Sequence, residues 1–270
     1  MASSSVVSLW RYPVKSMMGE ELNATEVTSH GLLGDRAYAL VDRADGKVAT
    51  AKNPRKWPQL FDFRATFSQP TSAAANRPPV RITLPDGTTV SSDQADLNPI
   101  LSNALHREVT LGVAGRGATT AEEYWPDMEG LDHRDTVTDF ILPEATFFDC
   151  AVVHLLTTAT LDRLGELYPQ GRFEARRFRP NIVVQPGSDE RSFVENAWIG
   201  HTLVIGDDAV RLNVTGPCAR CVMTTLAQGD LPRDPGILRA AAQHNRVNVG
   251  VYAAVVRGGT IRRGDPVRLE

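Results

Sequence analysis

Cys218 and Cys221 are separated by two residues in Pro217-Cys218-Ala219-Arg220-Cys221, and one of those two is a cation. Three chemistries suit this spacing. A structural zinc site normally takes four ligands, usually as a second close pair; Cys150 is the only other cysteine, and no histidine stands nearby at ligand spacing. A thioredoxin-like redox pair puts its first thiol at a helix N-terminus after a strand, whereas Val222-Met223-Thr224-Thr225 reads as strand. The third reading is that the thiols simply pack, because cysteine is among the most buried residue types. Against plain packing stand Arg220, whose charge would draw a neighbouring thiol toward thiolate, and Gly216-Pro217, which imposes a defined loop at a strand end. A thiolate beside a fixed cation suits a soft metal.

A second set of residues points to an anion. Lys15 and Ser16 close the expected first strand, Arg36 follows Gly34-Asp35 just before another, and Arg172, Arg176, Arg177 and Arg179 cluster with only Glu174 to offset them. Arg179-Pro180-Asn181 then leads into the apolar run Ile182 to Val184. Any one of these cations is by default a solvated surface charge. The pattern says more, since each sits where a loop meets a strand, the place where side chains of a barrel-like fold meet at a rim. Arginine recognises phosphate bidentately and lysine adds a point charge. The residues by themselves therefore indicate a small ligand bearing a phosphate.

The elements that must position these groups are mostly strands. Val7 and Leu9 alternate with Ser8 and Trp10 up to Pro13; Asp45-Gly46 and Pro85-Asp86-Gly87 are hairpin turns between short apolar runs. Leu97, Ile100, Leu101 and Leu105 share one helical face. A second helix is expected from Thr158, as N-cap, to Tyr168, and a third from Pro235 to Gln243 behind Asp234. Strands return at Asn181 to Val184, Leu203 to Ile205, Val210 to Val214, Val249 to Val256 and Val267 to Leu269. The segment Pro70 to Pro79 reads as an exposed loop, and Gly112 to Gly117 as a soft boundary between residues 1–112 and 113–270. The 21 glycines and 17 prolines favour short strands and many turns. The fold class is mainly β with peripheral helices (α+β), in barrel-like domains.

Composition excludes several classes. A net charge of −3 gives no footprint for nucleic acid. Three cysteines cannot form a disulfide framework. Arg11 interrupts a short N-terminal apolar stretch that is too weak for a signal peptide, and no run approaches the roughly 20 apolar residues of a membrane span. The expectation is a cytoplasmic protein without membrane or nucleic-acid partners.

Taken in order, these stretches resemble the MOSC family, the molybdenum-cofactor sulfurase C-terminal domain, in the subgroup with an N-terminal companion β-barrel. The matching stretches are Leu9-Trp10-Arg11-Tyr12-Pro13-Val14-Lys15-Ser16, Gly34-Asp35-Arg36, Phe178-Arg179-Pro180-Asn181, Phe193 with Trp198 and Gly200, Cys218-Ala219-Arg220-Cys221, and Gly264-Asp265-Pro266-Val267. The resemblance implies an N-terminal β-barrel-like domain over 1–112 and a MOSC β-barrel domain over 113–270. It implies a molybdenum cofactor (Mo-molybdopterin) with Cys221 as metal ligand and catalytic residue. Lys15, Ser16 and Arg36 would hold its phosphate, Arg179 and Asn181 its pterin side; Ala219 and Arg220 would flank the ligand and Tyr252 would line the cleft. Ala219 stands where some relatives carry a hydroxyl, so only a backbone contact is expected there. The segment from Phe147 to Thr157 also resembles the family; Asp149 reads equally as an acid/base group or a loop orienter, His154 as a hydrogen-bonded core residue, and Cys150 as core packing.

The activity so implied is reduction of N-hydroxylated or N-oxygenated small molecules by oxygen-atom transfer to molybdenum. No four-cysteine cluster is present, so electrons would come from a separate donor protein of ferredoxin or cytochrome type. The alternative from the same resemblance is a carrier of molybdenum cofactor or sulfur that does not turn over.

Overall fold

The computed structural model describes residues 3–74, 78–115, 119–129, 131, 133–187, 191–207 and 210–270. Residues 75–77 of the expected loop and 116–117 of the expected boundary lie outside them.

The largest unit is an eight-stranded sheet. Its strands are β1 (Ser5–Arg11), β2 (Glu20–Leu22), β3 (Val153–Thr157), β4 (Ile182–Gln185), β5 (Thr202–Ile205), β6 (Val210–Ala219), β7 (Asn248–Arg257) and β8 (Val267–Leu269). They run in the order β8-β5-β6-β7-β3-β4-β1-β2. All neighbours are antiparallel except β3 and β4. A parallel pair needs a crossover, and helix α2 (Thr158–Leu167), numbered after α1 (Leu97–Leu105), supplies it. Every residue of β3 is buried because both faces are covered. Val153 and Leu155 face the core shared with Leu9, Ile182, Leu212 and Val251; Leu156 joins Leu164, Ile237 and Val249 beneath α2 and a later helix, Gly236–Asn245.

Smaller sheets carry the rest of the N-terminal half: 38–42 with 109–113, 119–125 with 136–142, and 64–67 with 80–83 and 89–91. Their side chains enclose a second core around Met17, Leu40, Trp57, Phe63, Ile82 and Leu101. The mainly β class with peripheral helices is as expected, but the large sheet is not a closed barrel. The free edge of β1 is occupied from Leu9 to Arg11 by β2, so only the Ser5 end reaches the 264–267 segment, through a bridge to Pro266. Hydrogen bonding also crosses the boundary expected at residue 112. β1 pairs with β4, and Ala24–Thr28 pairs with Gly259–Arg262.

Local expectations shift in small ways. The N-cap of α2 is Thr157, not Thr158: its side chain accepts from Thr160 N at 3.1 Å. The last helix begins at Gly236, whose N–H donates to Asp234 Oδ1 at 2.8 Å. No helix among the described residues is long and apolar enough to cross a membrane.

Thr157 also donates through its hydroxyl to Glu195, as Thr160 does, each at 2.6 Å, in a fully buried setting. Burial raises the Glu195 pKa in spite of these bonds. A carboxyl raised in the folded state contributes its full stability below its ordinary pKa and loses it as pH rises through the raised value. Glu195→Gln keeps the acceptor and carries no charge. Thermal melts are therefore expected to show its margin over the wild type growing from pH 4 to pH 8; a constant margin would mean that Glu195 titrates as in an unfolded chain.

Candidate functional site

Lys15, Ser16, Arg36, Arg179, Asn181, Ala219, Arg220, Cys221 and Tyr252 all line one cleft. Residues separated by more than two hundred positions are thus brought together. The loop after β1 supplies Lys15 and Ser16, a turn before 38–42 supplies Arg36, and α3 (Ala175–Phe178) ends at Arg179. Cys218 and Ala219 close β6, and Tyr252 comes from β7. Gly250 lets that strand approach β3: a Cβ there would sit 2.3 Å from His154 Nε2, and its φ is +83°.

Three of these residues hold left-handed backbone: Ser16 at φ 63°, Arg36 at 46° and Arg179 at 54°. Non-glycine residues rarely adopt it, and each instance costs about 1–3 kcal/mol, so the surroundings must enforce it. They do. Asp35 accepts from Tyr12 N at 2.7 Å and from Asn181 Nδ2 at 2.8 Å, and it pairs with the Arg36 guanidinium. Arg179 donates to Met17 O at 2.7 Å. Two guanidiniums lie over the Tyr12 ring, Arg36 at 4.7 Å and Arg179 at 4.0 Å from its centroid. Burial brings the Arg179 pKa down to about 10. Asn181 is 1% exposed; its Oδ1 accepts from His154 N and its Nδ2 serves Asp35 and Trp10 O, so its amide braces the site from within.

The cysteines behave differently from the sequence expectation. β6 continues through Cys218 to Ala219, and Val222–Thr225 is a 3-10 turn with Cys221 as its N-cap, not a strand. The Arg220 guanidinium donates to Cys218 Sγ at 2.7 Å and to Phe178 O at 2.6 Å. The cation thus acts on Cys218, where it was expected to lower a metal-binding Cys221. Burial favours the neutral Cys218 thiol, but Arg220 and then His154 bring it down to about 6. Burial pushes Cys221 up to about 12, with the Lys52 ammonium opposing.

The arginine cluster disperses. Arg172 and Arg176 pair with Glu174 and Asp230 at the surface, and Arg177 is fully buried among backbone carbonyls. Only Arg179 reaches the cleft.

Sequence reasoning missed Lys52, Phe147 and Phe148, which also line it, and it left out Asp149 and Cys150. Lys15 donates to Phe147 O at 2.8 Å and pairs with Asp149, which also lies 3.5 Å from Lys52. Against burial, the two ammoniums hold the Asp149 carboxyl well below the usual carboxylate range. Cys150 is exposed in the cleft rather than packed in the core, because the segment before β3 runs along the rim. Lys52, like Lys15, follows a short run of mostly apolar residues, Val48 to Ala51. His154 is a buried, hydrogen-bonded histidine, its ring nitrogens against Arg179 O and Val249 O.

Two family models match the chain: the MOSC N-terminal beta barrel domain over residues 3–123 and the MOSC domain over 143–268. The chain belongs to the MOSC-domain family. Mitochondrial amidoxime-reducing component 1 of Mus musculus is 27% identical, the match covering 98% of this chain and 82% of that protein. The human component 1 is also 27% identical with the same coverage. Component 2 of Rattus norvegicus is 28% identical, covering 97% and 82%. The crystal structure of the YuaD protein of Bacillus subtilis superimposes with a TM-score of 0.50 at 12% identity, covering 99% of this chain and 95% of that one, which speaks for the fold alone.

The cleft of this MOSC protein suits an anionic cofactor with a soft metal. Five cations line it (Lys15, Lys52, Arg36, Arg179 and Arg220), and the carboxylates paired with them are three, Asp35, Asp149 and Glu123. With Arg220 held by the Cys218 thiol, which it draws toward thiolate, one positive charge is left over among the described residues for an anion such as a phosphate monoester. Among the described residues Arg179 and Arg220 have no carboxylate partner, and Arg220 Nε is buried without any hydrogen bond. The half-buried Cys221 thiol offers the soft donor. The residues present therefore fit a molybdenum–pterin cofactor.

Proposed function

We propose that this protein binds a molybdenum cofactor and reduces N-hydroxylated or N-oxygenated small molecules. One observation carries the reading: a surplus of buried cations and the Cys221 sulfur line a single cleft in a chain similar end to end to amidoxime-reducing components. When bound, the cofactor supplies a metal that takes up oxygen and cycles electrons.

The chain's own residues do the rest. Arg36 and Arg179, both packed on the Tyr12 ring, bind the phosphate end, and Ser16 and Lys15 border the same pocket. Asp35 aims Arg36, and Asn181 aims Asp35, so the clamp is set before any ligand arrives. Such preorganisation lowers the ordering cost of binding. Cys221 presents its sulfur from the N-cap of the 222–225 turn and would hold the metal as thiolate, its proton released to solvent. Arg220 is held by Phe178 O and the Cys218 sulfur, so its charge lies in the cleft wall and on Cys218, not on Cys221. Phe147 and Phe148 shield one wall from water. Electrons come from a separate donor protein of ferredoxin or cytochrome type. Three free thiols suit a reducing compartment such as the cytoplasm.

The test is metal analysis of protein from a host that makes the cofactor. About one molybdenum per chain with releasable pterin is expected, together with reduction of benzamidoxime by a strong artificial donor. Molybdenum without any reductase activity would favour a carrier; absence of both would overturn the reading.

A further inference from the structure

Apart from Arg220, which holds Cys218, one cation in the cleft stands outside the phosphate clamp. Lys52 is anchored by its backbone: its N–H donates to Thr50 Oγ1 at 3.1 Å, and its carbonyl accepts from Tyr124 N at 2.8 Å. Its Nζ lies 3.4 Å from Glu123 Oε2, 3.5 Å from Asp149 Oδ2 and 4.7 Å from the centroid of Phe140. These contacts are long. An ammonium bonded closely to a carboxylate sits at about 2.7–2.9 Å, as nearby Lys47 does with Asp139 at 2.7 Å. An ammonium has three N–H donors, and Lys52 makes a single side-chain hydrogen bond among the described residues, the one to Glu123.

Lys52 and Cys221 line the same cleft. Asp149 does not close off the Lys52 ammonium, because Lys15 holds Asp149 more closely. A substrate that comes to the metal side of Cys221 therefore meets a fixed ammonium with unused donors, over a wall containing Phe147 and Phe148.

We propose that Lys52 determines substrate choice, admitting N-hydroxylated or N-oxygenated compounds that carry an anionic or strongly accepting group and discriminating against cationic ones. The inference rests on the reading of the cleft as a reductase site. An ammonium attracts an anion and repels a cation across a few ångströms, and partial burial limits screening. Glu123 and Phe140, from the hairpin 119–142, are the groups that hold it there.

The experiment has two arms. The first needs no cofactor. Cys221 of the metal-free full chain is alkylated with iodoacetate, an anion, and with neutral iodoacetamide, and the rates are read by peptide mass spectrometry so that Cys150 is scored separately. The ratio of the two rates at one thiol cancels that thiol's own ionisation. Lys52→Met is expected to lower the iodoacetate-to-iodoacetamide ratio at Cys221 by about fivefold or more, with Lys52→Arg within about twofold of the wild type. A ratio unmoved by Lys52→Met overturns the proposal.

The second arm compares kcat/KM for 4-carboxybenzamidoxime and 4-(aminomethyl)benzamidoxime on the molybdenum-loaded protein. Lys52→Met is expected to shift that preference about tenfold toward the cationic compound, and an unchanged preference again overturns the proposal. If the alkylation ratio moves but neither compound is reduced, the reductase reading fails and takes the substrate assignment with it, while the charge at Cys221 stands as measured.

Discussion

Cys221→Ser, made in a host that supplies the cofactor, is expected to lose molybdenum and reductase activity at least about 100-fold, because the proposed function makes the lost group the metal ligand and loss of mere supporting groups already costs about 10–100-fold. Its folding is expected to stay within about 1 kcal/mol of the wild type. The thiol is half-buried at the start of a short turn and belongs to none of the core clusters. The control is Cys218→Ala. Cys218 is fully buried at the end of β6, and its sulfur partners Arg220. Its removal frees one guanidinium donor but takes nothing from the metal, so its activity loss is expected to be much smaller. Metal content by mass spectrometry and thermal melts read both variants. Wild-type rates in Cys221→Ser would refute the assignment, and equal losses in the two variants would revive a redox pair.

The second large effect lies away from the metal. Arg177 is 0% exposed, and its guanidinium donates to Arg172 O at 3.1 Å, Thr224 O at 3.2 Å, Leu226 O at 3.1 Å and Pro232 O at 2.9 Å. Two of those carbonyls belong to the turn that follows Cys221 or end it, and Arg177 itself lies two residues before Arg179. Its side chain therefore ties the sulfur-bearing turn to the segment that carries a clamp arginine. Arg177→Met takes this donor from four carbonyls, Thr224 O in a buried bond and the other three in partly buried ones, at about 1 kcal/mol each. A destabilisation of about 3 kcal/mol or more is expected, or a fall in Tm of roughly 6–12 °C for a chain of this size. Arg172→Ala, which breaks only surface ion pairs with Glu174 and Asp230, is expected to cost at most about 1 kcal/mol. A Tm for Arg177→Met equal to that of Arg172→Ala would show that the buried guanidinium does not brace the turn.

These two arginines also show how far sequence reasoning reaches. Arg172, Arg176, Arg177 and Arg179 look alike along the chain, within eight residues. Their roles part in space because α3 is a single turn: Arg172 and Arg176 stay at the surface, Arg177 turns inward, and Arg179, in left-handed backbone, swings over Tyr12. Likewise, Arg220 stands beside both cysteines in sequence. A strand that runs through Cys218 and a turn that starts at Cys221 decide which sulfur it touches.

By itself the sequence determined the mainly β class, the helices at Leu97–Leu105, Thr158–Leu167 and near Gly236, and, through the order of its family-like motifs, a set of residues that line one cleft. Those features follow from periodicity, turn residues and motif order, all local to the chain. Tertiary structure alone decided that the large sheet stays open, that β1 joins the C-terminal strands, and that Lys52, Asp149 and Cys150 belong to the cleft. It also decided which thiol carries the cation. The physical reason is common to all of these: strand pairing, burial and charge contacts act between residues far apart in sequence, and a local pattern records only that a residue is apolar or charged, not what it will meet.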